Sequence, residues 1–384
     1  MSGVFVIPAQ DRVVFGRPAD AAVLAHADHQ RAQRVFVVST RSLARLASGP
    51  LQRVVAALGA RHAGTFAEVR AHSPREDAIA AAGAARAARA DLLVAIGGGS
   101  VIDATKAVQL CLWLGLESPD AMEPYRGGAP AELARRIEPP ADPIRMVAVS
   151  TTLSASEFTS AAGITDTRSH AKQMFTHRLL VPREAVLDPA ATLDTPDWLL
   201  HATGIRSVDH AVESYCSPLA NPATEALSLL GLRLLHRALP RIKASPGDLR
   251  ARLDAQFGMW QSITAAAAGA GSGASHGIGY VLGAGFGVPH GHTSCVMLPA
   301  VLTWNAAVNG ERQRALSEAM GAPDRPAAEL IAELGQPGSL RAVGLRRDDL
   351  DVVAQRALSY PPVRMNPRPI ETAAQVREIL ELAW

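Results

Sequence analysis

The chain is poor in cysteine and aromatic residues, and it has no long apolar run. Cys111, Cys216 and Cys295 are its three cysteines in 384 residues and stand far apart. They make no metal-ligand spacing and no disulfide framework. Such a sparse, odd set suits a reducing compartment, each thiol acting as a small packed side chain. The longest apolar runs, such as Leu92 to Ile96, are strand-length, which excludes a membrane-spanning helix. The opening Met-Ser-Gly-Val-Phe lacks the basic and apolar regions of a secretory signal. No block of Lys and Arg stands out: 38 basic residues are mixed with 36 acidic ones for a net charge of +2. Nucleic acid and anionic membrane are therefore not expected partners. The expectation is a soluble, cytoplasmic protein.

What is present is the composition of a folded globular chain, 48% hydrophobic and 19% charged. The length exceeds one ordinary core, so two domains are expected. In the first third, Val35-Phe36-Val37-Val38, Leu92 to Ile96 and Met146-Val147-Ala148-Val149 read as buried strands. Helical patterns lie between them, which predicts a mainly parallel sheet covered on both faces. Ser73-Pro74-Arg75-Glu76 reads as a capping box opening an Ala-rich helix that ends near Ala90. Beyond about residue 190, Ala/Leu-rich stretches at helical spacing take over, including Asn221 to Leu239 and Asp248 to Ala270. Pro182, Pro189, Pro196 and Pro240 punctuate this half. The Pro-rich stretch from Glu138 to Pro143 reads as a surface loop, and no fixed-period repeat is found. The reading is an α/β dinucleotide-binding domain over residues 1–160, followed by a mostly helical domain over 161–384 that carries the substrate or metal site. A cleft between two such domains suits a cofactor and a small substrate.

The sharpest local signal is Ile96-Gly97-Gly98-Gly99-Ser100-Val101-Ile102-Asp103-Ala104-Thr105-Lys106. A buried strand runs into three glycines and then a helix. Glycines let backbone approach a pyrophosphate, and free amides at the helix start supply donors and positive potential. A glycine turn kept for its dihedrals alone is the plainer alternative; the flanking strand and helix, with Asp103 and Lys106 one turn in, favour phosphate. This is not the Gly-x-Gly-x-x-Gly fingerprint, so a standard Rossmann dehydrogenase is not implied. At the end of the Val35 strand the turn is Ser39-Thr40-Arg41, without an acid. An arginine and small hydroxyls there tolerate a 2′-phosphate, so NADPH is expected to be accepted along with NADH.

Histidines concentrate in three segments: His210 with Arg206 one helical turn before it, His276 with Tyr280 one turn after it, and His290-Gly291-His292. Residues four apart share a helix face, so Arg206 with His210 and His276 with Tyr280 can point into one site. A lone histidine is more often structural. Three such segments in apolar, Gly-rich surroundings point to a site, with imidazoles either holding a divalent metal or hydrogen-bonding substrate directly.

Taken together, Gly97 to Lys106, Asp188-Pro189, Gly204 to Glu213, and His276 through Pro289-His290-Gly291 to Leu298-Pro299 resemble the iron-containing alcohol dehydrogenases. Four further segments resemble the maleylacetate reductases among them: Arg12 to Gly16, Ser150 to Thr159, Ala220-Asn221-Pro222 and Asn366-Pro367-Arg368-Pro369. The resemblance implies a dehydroquinate synthase-like architecture, an NADH- or NADPH-dependent oxidoreductase, a small carbonyl substrate bearing a carboxylate, and a homodimer in which Val4 to Ile7 could pair as a strand. It implies cofactor contacts at Thr40, Gly97, Gly98, Gly99, Ser100, Asp103, Lys106, Thr151, Thr152 and Lys172, with the nicotinamide over Thr151 and Thr152. Any metal would fall to His210, His276 and His290. Two departures qualify this. Arg206 stands where metal-dependent members have an aspartate ligand, and a guanidinium repels a cation. Tyr280 stands where the family has a second histidine thought to move a proton; an ordinary phenol, near pKa 10, is a poorer relay. The expected catalytic set is Arg206, His210, His276, Tyr280 and His290, acting as a metal-independent oxo-acid reductase. A reductase of another aldehyde or ketone, and a family member that has lost redox turnover, are the alternatives.

Overall fold

The computed structural model describes residues 4–321 and 326–384. It divides into two compact units. One comprises Pro8–Thr152 and Ser156–Asp194; the other comprises Met1–Ile7, Leu153–Ala155 and Thr195–Trp384.

The first unit alternates strands and helices: β1 (Arg12–Phe15), α1 (Ala19–Gln30), β2 (Val35–Val38), α2 (Arg41–Ala44), α3 (Pro50–Leu58), β3 (His62–Phe66), α4 (Arg75–Ala87), β4 (Leu92–Gly97), α5 (Gly99–Leu114), β5 (Met146–Ser150), the hairpin β6 (Ala161–Asp166) and β7 (Ala171–Thr176), and β8 (Glu184–Leu187). Six of these strands form a sheet in the order β1-β8-β5-β4-β2-β3, every pair parallel. The β-branched runs of β2, β4 and β5 are buried throughout, as strands covered on both faces must be. One face packs Leu93, Ala95, Met146 and Ala148 against α4 and α5, and the other packs Val94, Ile96, Val147 and Val149 against α1 and α3. The unit runs past residue 160, where the sequence reading closes it, because β8 inserts between β1 and β5.

Two local expectations are corrected. The capping box at Ser73 does not form: Ser73 sits in the left-handed region (φ 53°) and its hydroxyl donates to the Ser100 carbonyl at 2.8 Å, leaving Pro74 as N-cap. The helix then closes at Ala87, three residues early. Within the single chain Val4 to Ile7 joins no sheet, and the Val6 N–H donates to the Ala268 carbonyl at 2.9 Å; the pairing implied for it involves a second copy.

The second unit is helical: α6 (Asp197–Cys216), α7 (Pro222–Ala244), α8 (Leu249–Ala265), α9 (Ala274–Phe286), α10 (His290–Met320), α11 (Pro326–Glu333), α12 (Leu350–Ala357), α13 (Pro361–Arg364) and α14 (Ala373–Leu382). Asn221 caps α7 in a reciprocal box with Thr224. Pro240, expected as a break, lies inside α7, where the buried Leu235, Leu239 and Ile242 hold the helix through it. Ala266–Ala270 extends α8 as a π-turn. Among the described residues no helix is long and apolar enough to cross a membrane.

Candidate active site

The loop Gly97 to Ser100 lies at the carboxyl end of β4, near the middle of the sheet, where ligands of open α/β sheets bind. Gly98 caps α5 in an extended conformation. A Cβ on Gly98 would meet Thr152 Cγ2 at 2.8 Å, so only glycine lets this backbone lie against the β5 exit. Thr151 and Thr152 are buried there, the Thr151 N–H donating to the Gly97 carbonyl at 3.0 Å. The Ser100 hydroxyl accepts from the His72 N–H at 3.1 Å. The first amides of α5, which have no partner within the helix, and the adjoining glycines lie at an end that favours negative charge.

Asp103 and Lys106 face inward. Lys106 is fully buried, and its ammonium donates to the carbonyls of Ser156 (2.7 Å) and Ala161 (2.8 Å) and to Thr159 Oγ1 (3.0 Å). Asp103 accepts from the Ser156 hydroxyl and from the Gly163 N–H at 3.1 Å, and lies 3.5 Å from Lys106 Nζ. The pair clamps the 156–163 segment onto α5. A Cβ on Gly163 would strike the Lys172 side chain at 2.1 Å, which places that lysine beside Asp103.

Beneath this clamp Glu157 is wholly buried, and burial pushes its carboxyl up to about 7. The neighbouring Ser150 hydroxyl spends its proton on the Thr152 carbonyl. A carboxyl with a raised folded pKa adds stability that is complete below its unfolded value and lost as pH rises through the folded one. Here the window runs from about pH 4.5 to about pH 7. Glu157→Gln should therefore be more stable than the wild type at pH 8, by up to about 3 kcal/mol. The gain should vanish near pH 4.5; urea midpoints at both pH values check it, and a pH-independent difference would contradict it.

In the helical unit α6, α9 and the start of α10 carry the second cluster. Arg206, Asp209, His210 and Glu213 all lie on α6 and all are buried. The Arg206 guanidinium donates to Ser294 Oγ at 3.1 Å and stands 5.8 Å from the Tyr280 ring centre. Asp209 Oδ2 accepts from Ser294 Oγ (2.6 Å) and Ser275 Oγ (2.7 Å), so Ser294 links cation to anion. Glu213 accepts from the N–H groups of Gly273 and Ser275 at 2.7 Å each, and from His276 Nδ1 at 2.7 Å. With the carboxylate accepting, Nδ1 carries the His276 proton and Nε2 presents its lone pair. That Nε2 and His210 Nδ1 are buried without hydrogen-bond partners, and the two rings lie 4.4 Å apart. Tyr280 stacks parallel to His290 at 6.1 Å.

Burial first, and the Arg206 charge after it, lower the His276 pKa to about 3, against the opposing pull of Asp209. Burial, then His276 and Arg206, hold His210 well below its ordinary value. Both imidazoles are neutral near pH 7. Burial raises Asp209 to about 6 and Glu213 to about 7. All three cysteines are buried, burial pushing each thiol upward.

The structure thus gathers Arg206, His210, His276, Tyr280 and His290 into one region of the helical unit. It does not bring the nitrogens of His210, His276 and His290 together as a ligand set. Among the described residues, the group able to converge on a cation is Asp209, Glu213 and His276, with donor atoms within 4.8 Å of one another. The His276 nitrogen in contact with those carboxylates is the protonated Nδ1. Asp209, Glu213, Ser275 and Ser294 were not singled out by sequence; His276 is 63 residues from Glu213 and 67 from Asp209, so no local pattern marks them.

Comparison with known proteins accounts for both units. Residues 10–189 match the model for iron-containing alcohol dehydrogenase, and residues 200–384 match that for the C-terminal part of the Fe-containing alcohol dehydrogenase family. The chain is 31% identical over 376 residues to a maleylacetate reductase of Burkholderia cepacia, covering 97% of this chain and 95% of the relative. It is 32% identical to a maleylacetate reductase of Sphingobium indicum, covering 94% and 92%. The crystal structure of the maleylacetate reductase from Agrobacterium tumefaciens superposes with a TM-score of 0.82 at 27% identity, over 100% of this chain and 98% of that one. The chain belongs to the iron-containing alcohol dehydrogenase family and is an NAD(P)-dependent oxidoreductase.

Proposed function

We propose that this enzyme reduces a small oxo-acid with NADH or NADPH, as maleylacetate reductases do, and that Arg206 supplies the positive charge which a divalent metal supplies elsewhere in the family. The observation that carries this reading is the buried Arg206 guanidinium, set beside two imidazole nitrogens without partners.

A buried guanidinium is a ready donor to a carboxylate or to a carbonyl oxygen gaining charge, and in a low-dielectric site that interaction is strong. The same charge is a poor neighbour for a dication. Both Glu213 oxygens and Asp209 Oδ2 are occupied by backbone amides, His276 Nδ1 and serine hydroxyls, which leaves Asp209 Oδ1 as the one carboxylate oxygen of the pair without a hydrogen-bond partner. On this reading the Arg206 charge takes the place of the metal. When bound, the nicotinamide supplies the hydride. Gly97 to Ser100 and the start of α5 hold its phosphates, and Thr151, Thr152 and Lys172 complete that side. His210, neutral and in its Nδ1–H form, donates to a substrate oxygen, while the His276 Nε2 lone pair accepts from the hydroxyl that forms on reduction. Neither is an imidazolium at neutral pH, which leaves the Tyr280 phenol as the proton donor to the nascent alkoxide.

The test is oxidation of NADH and NADPH with maleylacetate, using protein stripped with a strong chelator. Turnover should survive chelation unchanged. Turnover that appears only when iron or zinc is restored would overturn the assignment to Arg206. A second carbonyl substrate turned over much faster than maleylacetate would move the substrate and leave the chemistry.

A further inference from the structure

The sequence has no acid at the end of β2, but the fold brings one there. Ser39 is tied to the adjacent strand end by its N–H to the Phe66 carbonyl (2.8 Å) and by its carbonyl to the Val69 N–H (3.3 Å). Glu68 therefore lies beside the Ser39-Thr40-Arg41 turn. Its carboxylate forms an ion pair with the Arg41 guanidinium, and both side chains are open to solvent. Thr40 and Ser42 share a hydrogen bond at 2.9 Å in the same turn.

The sheet order says what this corner faces. β4 carries the phosphate loop, β2 is its neighbour and β3 is next, so Glu68 lies two strands away, roughly 10 Å at ordinary strand spacing. A pyrophosphate on Gly97 to Ser100, with its nicotinamide toward Thr151 and Thr152 at the β5 end, sends its adenosine ribose toward the ends of β2 and β3. In doubly wound sheets an acid at this place accepts from the ribose 2′-hydroxyl, and an arginine accommodates a 2′-phosphate. Here both are present and neutralise each other.

We propose that the Arg41–Glu68 pair sets the choice between NADH and NADPH. Glu68 accepts from the ribose hydroxyls of NADH and repels a 2′-phosphate, while it withholds Arg41 from that phosphate. The wild type then favours NADH, although the sequence turn alone reads as open to both cofactors. This rests on the phosphate-loop placement of the cofactor proposed above.

The test is fluorescence titration of each cofactor onto the full chain without substrate, for wild type, Glu68→Gln and Arg41→Ala. The expected result is tighter binding of NADH by the wild type. In Glu68→Gln the ratio of NADPH to NADH dissociation constants should fall about tenfold, since one like charge is removed and a guanidinium is released. In Arg41→Ala that ratio should rise. A ratio within twofold of wild type in Glu68→Gln overturns the role of the pair. Failure of the wild type to bind either cofactor overturns the phosphate-loop placement itself, and the proposal with it.

Discussion

Arg206→Met should lower kcat/KM for the oxo-acid by about 10²–10³, the loss found when a preorganised donor to developing charge is removed. The division of that loss reports what the guanidinium holds. If it binds a substrate carboxylate in ground and transition states alike, KM rises and kcat is kept; if it meets the carbonyl oxygen as charge develops, kcat falls with kcat/KM. Arg206→Lys should recover part of the loss, because charge returns without the planar fork. The fold should tolerate the change, since the Ser294 hydroxyl that accepts from Arg206 also donates to Asp209. Unfolding curves on the same samples separate a structural loss from a chemical one. Turnover of Arg206→Met within threefold of wild type would remove Arg206 from the reaction.

The sequence made β2, β4 and β5 legible because each is a dense local run of buried, mostly apolar residues, and the glycine loop because it follows β4 directly as a turn that needs glycine. The Arg206–His210 and His276–Tyr280 pairs were legible for a similar reason, helical spacing. What escaped is what depends on partners far along the chain. β8 is four residues long and is a strand because β1 and β5 flank it. Ser73 looks like a cap locally, but Ser100, 27 residues on, takes its hydroxyl. Lys106 reads as a phosphate ligand by its place in the loop, yet its ammonium is turned inward by acceptors from Ser156 to Ala161. Glu68 reaches the β2 turn only because β3 lies beside β2, and Asp209 and Glu213 gain their meaning only when α9 brings Ser275 and His276 to α6.

The inward turn of Lys106 carries the second large effect. Lys106→Met keeps the volume of the stem and removes the ammonium. The carbonyls of Ser156 and Ala161 and the Thr159 hydroxyl then lose a buried donor, and Asp103 loses its neighbouring cation. Breaking a buried charge pair from one side costs about 3–5 kcal/mol, most of it from the groups left behind. Urea unfolding should show a loss of that size. The cofactor loop should suffer with it, because the clamped segment begins six residues after β5 ends beside Gly98; NADH binding should weaken even where the protein remains folded. Glu157 makes the argument sharper. Its buried carboxyl is also drawn toward ionisation by the Lys106 charge, so deleting the lysine leaves Glu157 a burden to the folded state at high pH. Glu157→Gln should therefore gain more stability at pH 8 in the Lys106→Met background than in the wild type, and little at pH 4.5 in either, a non-additivity expected only of groups in one network. Strict additivity at both pH values would mean that Lys106 and Glu157 act separately, and that the clamp is held by hydrogen bonds alone.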